Sequence, residues 1–155
     1  MTMRKDIDSP CEKCKGRFTQ GPMKKPLTIA PFGKHLGIEI LEVEEGVARL
    51  KMPYRTELTN PAGNLHGGAI ATVADSAMAV AIGSVLGTSE RHFTVKLEIR
   101  YRAAVTDGVI IAEAKVMRRK QRLFLGETVI TNGNGQVIAT ATGTFMVSFK
   151  EAKPR

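Results

Sequence analysis

Residues 60–75, Asn-Pro-Ala-Gly-Asn-Leu-His-Gly-Gly-Ala-Ile-Ala-Thr-Val-Ala-Asp, hold the side chains best suited to chemistry. Asn60, His66, Gly67 and Gly68 stand at the mouth of a long apolar run, and Asp75 follows inside it. A carboxylate in such a run is costly to bury unless it is paired or used. Polar groups at a helix N-terminus can bind or polarise an oxygen, because the first N–H groups lack partners and the dipole favours negative charge. Such an arrangement has the parts of a catalytic site.

The rest of the chain must position these groups. Its 155 residues make one domain with one substantial core, of ordinary globular composition. Residues 1–26 read as a polar, basic extension, 27–149 as the domain and 150–155 as a tail. Within the domain, 27–36 form a short helix or turn, and 37–44 and 47–53 are strands joined at Glu45-Gly46. A loop rich in Asn, Pro and Gly leads to a helix from Gly67 or Gly68 to about Leu86, stopped by Gly87. Four strands follow, at 93–101, 108–118, 123–131 and 137–148. In the first of them Val95, Leu97, Ile99 and Tyr101 alternate onto one face. One helix, apolar nearly all round among antiparallel strands, needs a curved sheet to wrap it. The expected fold class is therefore α+β, with the helix in the concave face.

Charge narrows the partners. Of the formal net charge of +8, residues 1–34 carry +5, so most of the excess lies in the N-terminal stretch. No interleaved aromatics support stacking on bases, which argues against a nucleic-acid partner. The first 25 residues lack the apolar stretch of a secretory signal. Residues 69–86 are apolar enough to raise a transmembrane question, but Asp75 and the hydroxyl side chains favour a buried core helix. A cytoplasmic location with no membrane partner is expected. Cys11 and Cys14 form one Cys-x-x-Cys, and His35, His66 and His92 do not complete a zinc spacing. Two free thiols or a zinc site shared between subunits both remain open.

The stretch Asn60…Leu65-His66-Gly67-Gly68…Asp75, followed by Thr94-Val-Lys-Leu-Glu-Ile-Arg-Tyr101, closely resembles the PaaI-like acyl-CoA thioesterases of the hotdog fold. Pro31-Phe32…Leu36-Gly37-Ile38-Glu39 matches the start of that domain, and the likeness covers about residues 27–149. The resemblance implies a hotdog fold, in which a curved antiparallel sheet wraps one central helix. It implies hydrolysis of an acyl-CoA, with coenzyme A as part of the substrate and no metal or redox cofactor. Carried over, Asp75 is the acid that attacks or activates water, and Gly67 supplies the oxyanion N–H. Asn60 and His66 orient substrate or water, Gly68 lies beside them, and Thr94 is a supporting hydroxyl.

Spacing adds an argument of its own. Gly67 and Asp75 are eight residues apart, about 12 Å along a helix at ~1.5 Å per residue. Both must come within roughly 3–4 Å of one carbonyl, so a continuous helix cannot serve one substrate with both. The missing partner must come from a second copy. A two-fold homodimer is expected, with two equivalent sites, alone or within a tetramer of two dimers.

Each residue also has a plainer reading. Asp75 could be a bonded structural carboxylate, His66 a helix cap, Asn60 a turn residue, Thr94 an ordinary strand residue, and the two glycines a turn. Arg118, Arg119 and Arg122, between two strands, could be solvated or could hold the phosphates of coenzyme A. Two rival functions stand beside hydrolysis. A non-catalytic acyl-CoA-binding or regulatory hotdog module is weakened by the absence of a helix-turn-helix pattern. A dehydratase or hydratase is disfavoured because its His/Asp or His/Glu pairing is missing.

Overall fold

The computed structural model describes residues 26–149. The Cys-x-x-Cys, residues 1–25 and residues 150–155 lie outside the described residues. A short helix α1 (Pro31–His35) precedes strands β1 (Glu39–Glu44) and β2 (Val47–Pro53). The long helix α2 (Gly67–Ser84) comes next, followed by β3 (Glu90–Tyr101), β4 (Val109–Lys120), β5 (Leu123–Asn132) and β6 (Val137–Phe149).

The strands make one antiparallel sheet in the order β1-β2-β4-β5-β6-β3, and α2 packs on its concave face. Strict alternation builds that face. In β2, Ala48, Leu50 and Met52 are buried while Val47, Arg49 and Lys51 are only half covered. Phe124 and Phe145 sit directly opposite each other across β5 and β6, both fully buried. Each such aromatic contributes roughly 1.5–3 kcal/mol by leaving water. The buried side of the helix adds Val73, Ala74, Ala77, Met78, Ala81 and Ile82 to the same core.

Small residues bring helix and sheet together. Gly126 and Gly143 are cross-strand partners, and a Cβ on either would come within 3.2 Å of the Met78 side chain. The absence of two side chains on the sheet thus makes room for one long, adaptable side chain from the helix. The far end of α2 is held by Ser84, whose hydroxyl donates to Ala81 O (2.6 Å) and accepts the Gly46 N–H (2.8 Å). That bond ties the β1–β2 turn to the helix C-terminus.

Two expectations need correction. The helix is not enclosed all round: the sheet covers one side, while Ala71, Thr72, Asp75, Ser76 and Ala79 stay partly open and Gly68 is exposed. A single curved sheet has only one concave face to offer. The second concerns β3, where the register shifts between Thr94 and Lys96. Val95 occupies the bulge and is 57% exposed. The extra residue reverses the alternation before it, so Thr94, Leu97, Ile99 and Tyr101 pair with inward-facing residues of β6. Alternation read straight through would have turned Thr94 outward.

Candidate active site

The mouth of α2 is shaped by the loop before it. Thr59 and Leu65 form an isolated bridge that closes residues 60–64 into a compact turn. The Asn60 Oδ1 accepts the N–H groups of Ala62 (3.0 Å) and Asn64 (3.2 Å), as Asx turns do. Gly63 sits at φ 79°, where a side chain would be strained, and its carbonyl accepts the Tyr54 hydroxyl at 2.9 Å. The turn reading of Asn60 therefore holds, and only its amide NH2 is left without an acceptor among the described residues.

His66 is the N-cap of α2, in extended conformation. Its Nδ1 accepts the Gly68 N–H at 2.8 Å, so in the neutral ring Nε2 carries the hydrogen. The capping reading thus holds for His66, which still presents an Nε2–H at the exposed mouth. Its backbone carbonyl accepts from Ala69 N (2.9 Å) and Ile70 N (3.2 Å). Of the four N–H groups that open the helix, three are engaged. The Gly67 N–H alone has no protein acceptor among the described residues.

Asp75 lies two turns further on, on the partly open side of α2. Thr94 reaches across from β3 and donates its hydroxyl to Asp75 Oδ1 at 2.8 Å. Burial pushes the Asp75 carboxyl above the usual carboxylate value, and the Thr94 hydrogen bond pulls part of the way back. A carboxylate with a raised pKa and one free oxygen has the character of a general base or nucleophile. Among the described residues, no group of three His, Cys, Asp or Glu side chains could hold a metal ion.

One chain does not gather all these residues. Because α2 is unbroken from Gly67 to Ser84, the Gly67 N–H and Asp75 stay about 12 Å apart, at ~1.5 Å per residue. The arginines lie beyond the opposite end of the helix. The turn between β4 and β5 approaches the β1–β2 turn, where Val116 N bonds Gly46 O and Ser84 holds Gly46. There Arg119 lies 5.0 Å over the Phe124 ring and Arg122 5.8 Å over Phe149. Arg118 follows the β4 bulge, opposite Leu125.

Residues 24–147 match the family described as "Domain of unknown function (DUF4442)". A candidate esterase from Saccharolobus solfataricus is 30% identical over 112 residues, covering 72% of this chain and 74% of the relative. A thioesterase family protein from Silicibacter pomeroyi superposes with a TM-score of 0.72 at 28% identity, over 77% of this chain and 90% of the other. The present chain is a hotdog-fold thioesterase of the DUF4442 family. The 1,4-dihydroxy-2-naphthoyl-CoA hydrolase of Listeria monocytogenes is 24% identical over 74% of this chain and 94% of that protein. A mutant of the phenylacetic acid degradation protein PaaI from Thermus thermophilus shares the fold. Its TM-score is 0.70 at 24% identity, over 76% of this chain and 98% of the other.

In this hotdog thioesterase one residue of the site escaped the reading of the sequence. Tyr101, the last residue of β3, donates its hydroxyl to the Gly67 carbonyl at 2.7 Å. Its aromatic type at a strand end signalled only packing. Nothing in the spacing of 34 residues links it to the helix mouth.

Proposed function

We propose that this protein hydrolyses acyl-CoA thioesters at two equivalent sites, each built by two subunits paired along β3. The observation that carries the reading is the unbroken helix, with a free N–H at its first residue and a Thr94-bonded carboxylate two turns on. Each is half of what thioester hydrolysis requires.

The two edges of the sheet differ in a way that supports this pairing. β1 has only 6 residues, and shortness protects an edge from further pairing. β3 runs for 12 residues and, although it is bulged and carries Lys96, Glu98 and Arg100, it exposes Phe93, Val95 and Tyr101. It also carries Thr94, so a partner docked there comes up against the open side of α2 and its acid.

In the proposed reaction, Asp75 takes a proton from water as the water oxygen bonds to the thioester carbon. The carbonyl oxygen becomes an oxyanion held by the N–H of the partner subunit's Gly67, favoured by the helix dipole. Collapse restores the carbonyl and breaks the carbon–sulfur bond. The departing thiolate takes the proton from Asp75, leaving a carboxylic acid and free coenzyme A. Direct attack by the Asp75 oxygen, giving an anhydride that water then opens, uses the same groups. The amide of Asn60 and the Nε2–H of His66 orient substrate or water, and Gly68 leaves room beside them. Arg118, Arg119 and Arg122 meet the phosphates. No resident metal or redox cofactor takes part, and the reaction is placed in the cytoplasm.

The test is Asp75→Asn against a panel of short, medium, long and aromatic acyl-CoAs, read by thiol release. The wild type should cleave at least one of them and the variant should lose nearly all turnover. Wild-type turnover by a folded Asp75→Asn protein would remove Asp75 from the mechanism.

A further inference from the structure

Two adjacent glycines make a poor start to a helix. Neither carries a Cβ, and each loses more backbone freedom on ordering than any other residue. Yet the proposed oxyanion donor is the N–H of the first of them, and such a donor is effective only if it is already in place when charge develops. Something must hold this turn still.

The restraints can be assigned peptide by peptide. The peptide joining His66 to Gly67 is fixed through its carbonyl, which accepts from Ala69 and Ile70. The peptide joining Gly67 to Gly68 is held at both ends. Its N–H is taken by His66 Nδ1 at 2.8 Å, and its carbonyl receives the Tyr101 hydroxyl at 2.7 Å. The His66 bond is local to the turn and would move with it. A bond from the His66 N–H to Leu58 O (2.8 Å) anchors the residue before the glycines, and the Tyr101 bond is the one that reaches the glycines themselves from outside the helix, among the described residues.

The ring also fills the space beside the glycine. A Cβ on Gly67 would lie 3.2 Å from the Tyr101 hydroxyl oxygen and 3.3 Å from Cζ. Tyr101 therefore touches the turn both by hydrogen bond and by surface. Its backbone is paired with Ala139 of β6 at the end of the edge strand β3.

We infer that Tyr101 is a positioning residue, which fixes the Gly67–Gly68 turn to strand β3 and so holds the Gly67 N–H aimed at the thioester oxygen. The inference rests on the hydrolase reading above and adds a residue to it. Tyr101 touches no reacting atom in this scheme. Substrate affinity should therefore survive its alteration while the rate does not.

The experiment is Tyr101→Phe, which keeps the ring and removes only the donor. It is assayed beside wild type and Asp75→Asn on an acyl-CoA that the wild type cleaves. The expected result is a fall in kcat of about tenfold, with KM within twofold of wild type, since small misplacement of an oriented group is costly to rate. Tyr101→4-aminophenylalanine, which returns an N–H donor to the same place, should recover most of the loss. A Tyr101→Phe enzyme with wild-type kcat, beside an inactive Asp75→Asn, would overturn this inference alone. So would a loss that the amino variant fails to repair. If the wild type cleaves no thioester, the hydrolase reading falls and this one with it.

Discussion

Thr94 on the edge strand donates its hydroxyl to Asp75 in the middle of the central helix, at 2.8 Å. The bond exists because the bulge at Val95 turns Thr94 inward. A hydrogen bond to the ionised form lowers a carboxyl pKa, so here it opposes the rise that burial causes. Thr94→Val keeps the shape and removes the donor. The Asp75 pKa should rise further, and the acid limb of the rate profile should move to higher pH. Measuring kcat/KM across pH checks this, and an unmoved limb would separate Thr94 from the proton chemistry.

The same carboxyl bears on stability. Its folded pKa lies above its unfolded value because burial penalises the charge. The folded state therefore holds its proton more tightly. The stabilising contribution is full below the unfolded pKa, near 3.9 for aspartate. It is lost as pH rises through the folded pKa. At neutral pH Asp75 is thus a burden, and Asp75→Asn should raise the melting temperature by a few degrees. Below about pH 4 the two proteins should melt together. A variant that is less stable than wild type at pH 7 would contradict this account.

Dimerisation along β3 can be tested by spoiling that edge. Val95→Lys adds a charge to an exposed apolar position in the bulge, without touching the buried core. The variant should run as a monomer in light-scattering chromatography and lose at least about tenfold in activity, as a site missing one reacting group must. Leu41→Lys, on the opposite edge strand and also exposed, should change neither property.

A site shared between subunits predicts complementation. Gly67→Pro removes the oxyanion N–H at the first helical position, where the helix loses no internal bond to proline, and its Cβ displaces the Tyr101 hydroxyl by a few tenths of an ångström. The preceding His66, at φ −62° and ψ 136°, already has the backbone that a following proline prefers. Gly67→Pro and Asp75→Asn should each be nearly inactive as homodimers. Mixed and allowed to exchange, half the dimers are hybrids, and each hybrid has one site with both groups intact. About a quarter of wild-type activity should return, as two-fold symmetry requires. No recovery, with hybrids demonstrated by native mass spectrometry, would place both groups in one subunit's site.

The sequence already showed much of this, and the reasons differ from residue to residue. The helix and strands were legible because burial imposes periodicity, and Glu45-Gly46 and Asn132-Gly133 mark their turns. The eight-residue gap from Gly67 to Asp75 was legible because helix rise is fixed. The bulge at Val95 was not, since one extra residue in a strand leaves no mark on composition. Nor was the Tyr101–Gly67 bond, which joins groups brought together only by the sheet's position against the helix. The capping role of His66 stood among the readings of the sequence, but choosing it required the observed Nδ1 contact.

The basic turn gives the last prediction. Arg119 and Arg122 lie over Phe124 and Phe149 at the C-terminal end of α2, away from the Gly67 end of their own helix. In the proposed antiparallel pair of subunits, that end of one helix would lie beside the mouth of the other, where the nucleotide portion of coenzyme A would leave the site. Guanidinium groups bind phosphate strongly, and stacking on a ring holds the planar group ready. Replacing both residues by Gln should raise KM for an acyl-CoA by about fivefold to tenfold and leave kcat unchanged, since the contact is equal in ground and transition states. The same acyl group on N-acetylcysteamine, which lacks the phosphates, should be cleaved equally well by wild type and variant. Added salt should narrow the difference between the two esters in the wild type. Equal KM changes for both esters would show that the arginines act on the fold rather than on the phosphates.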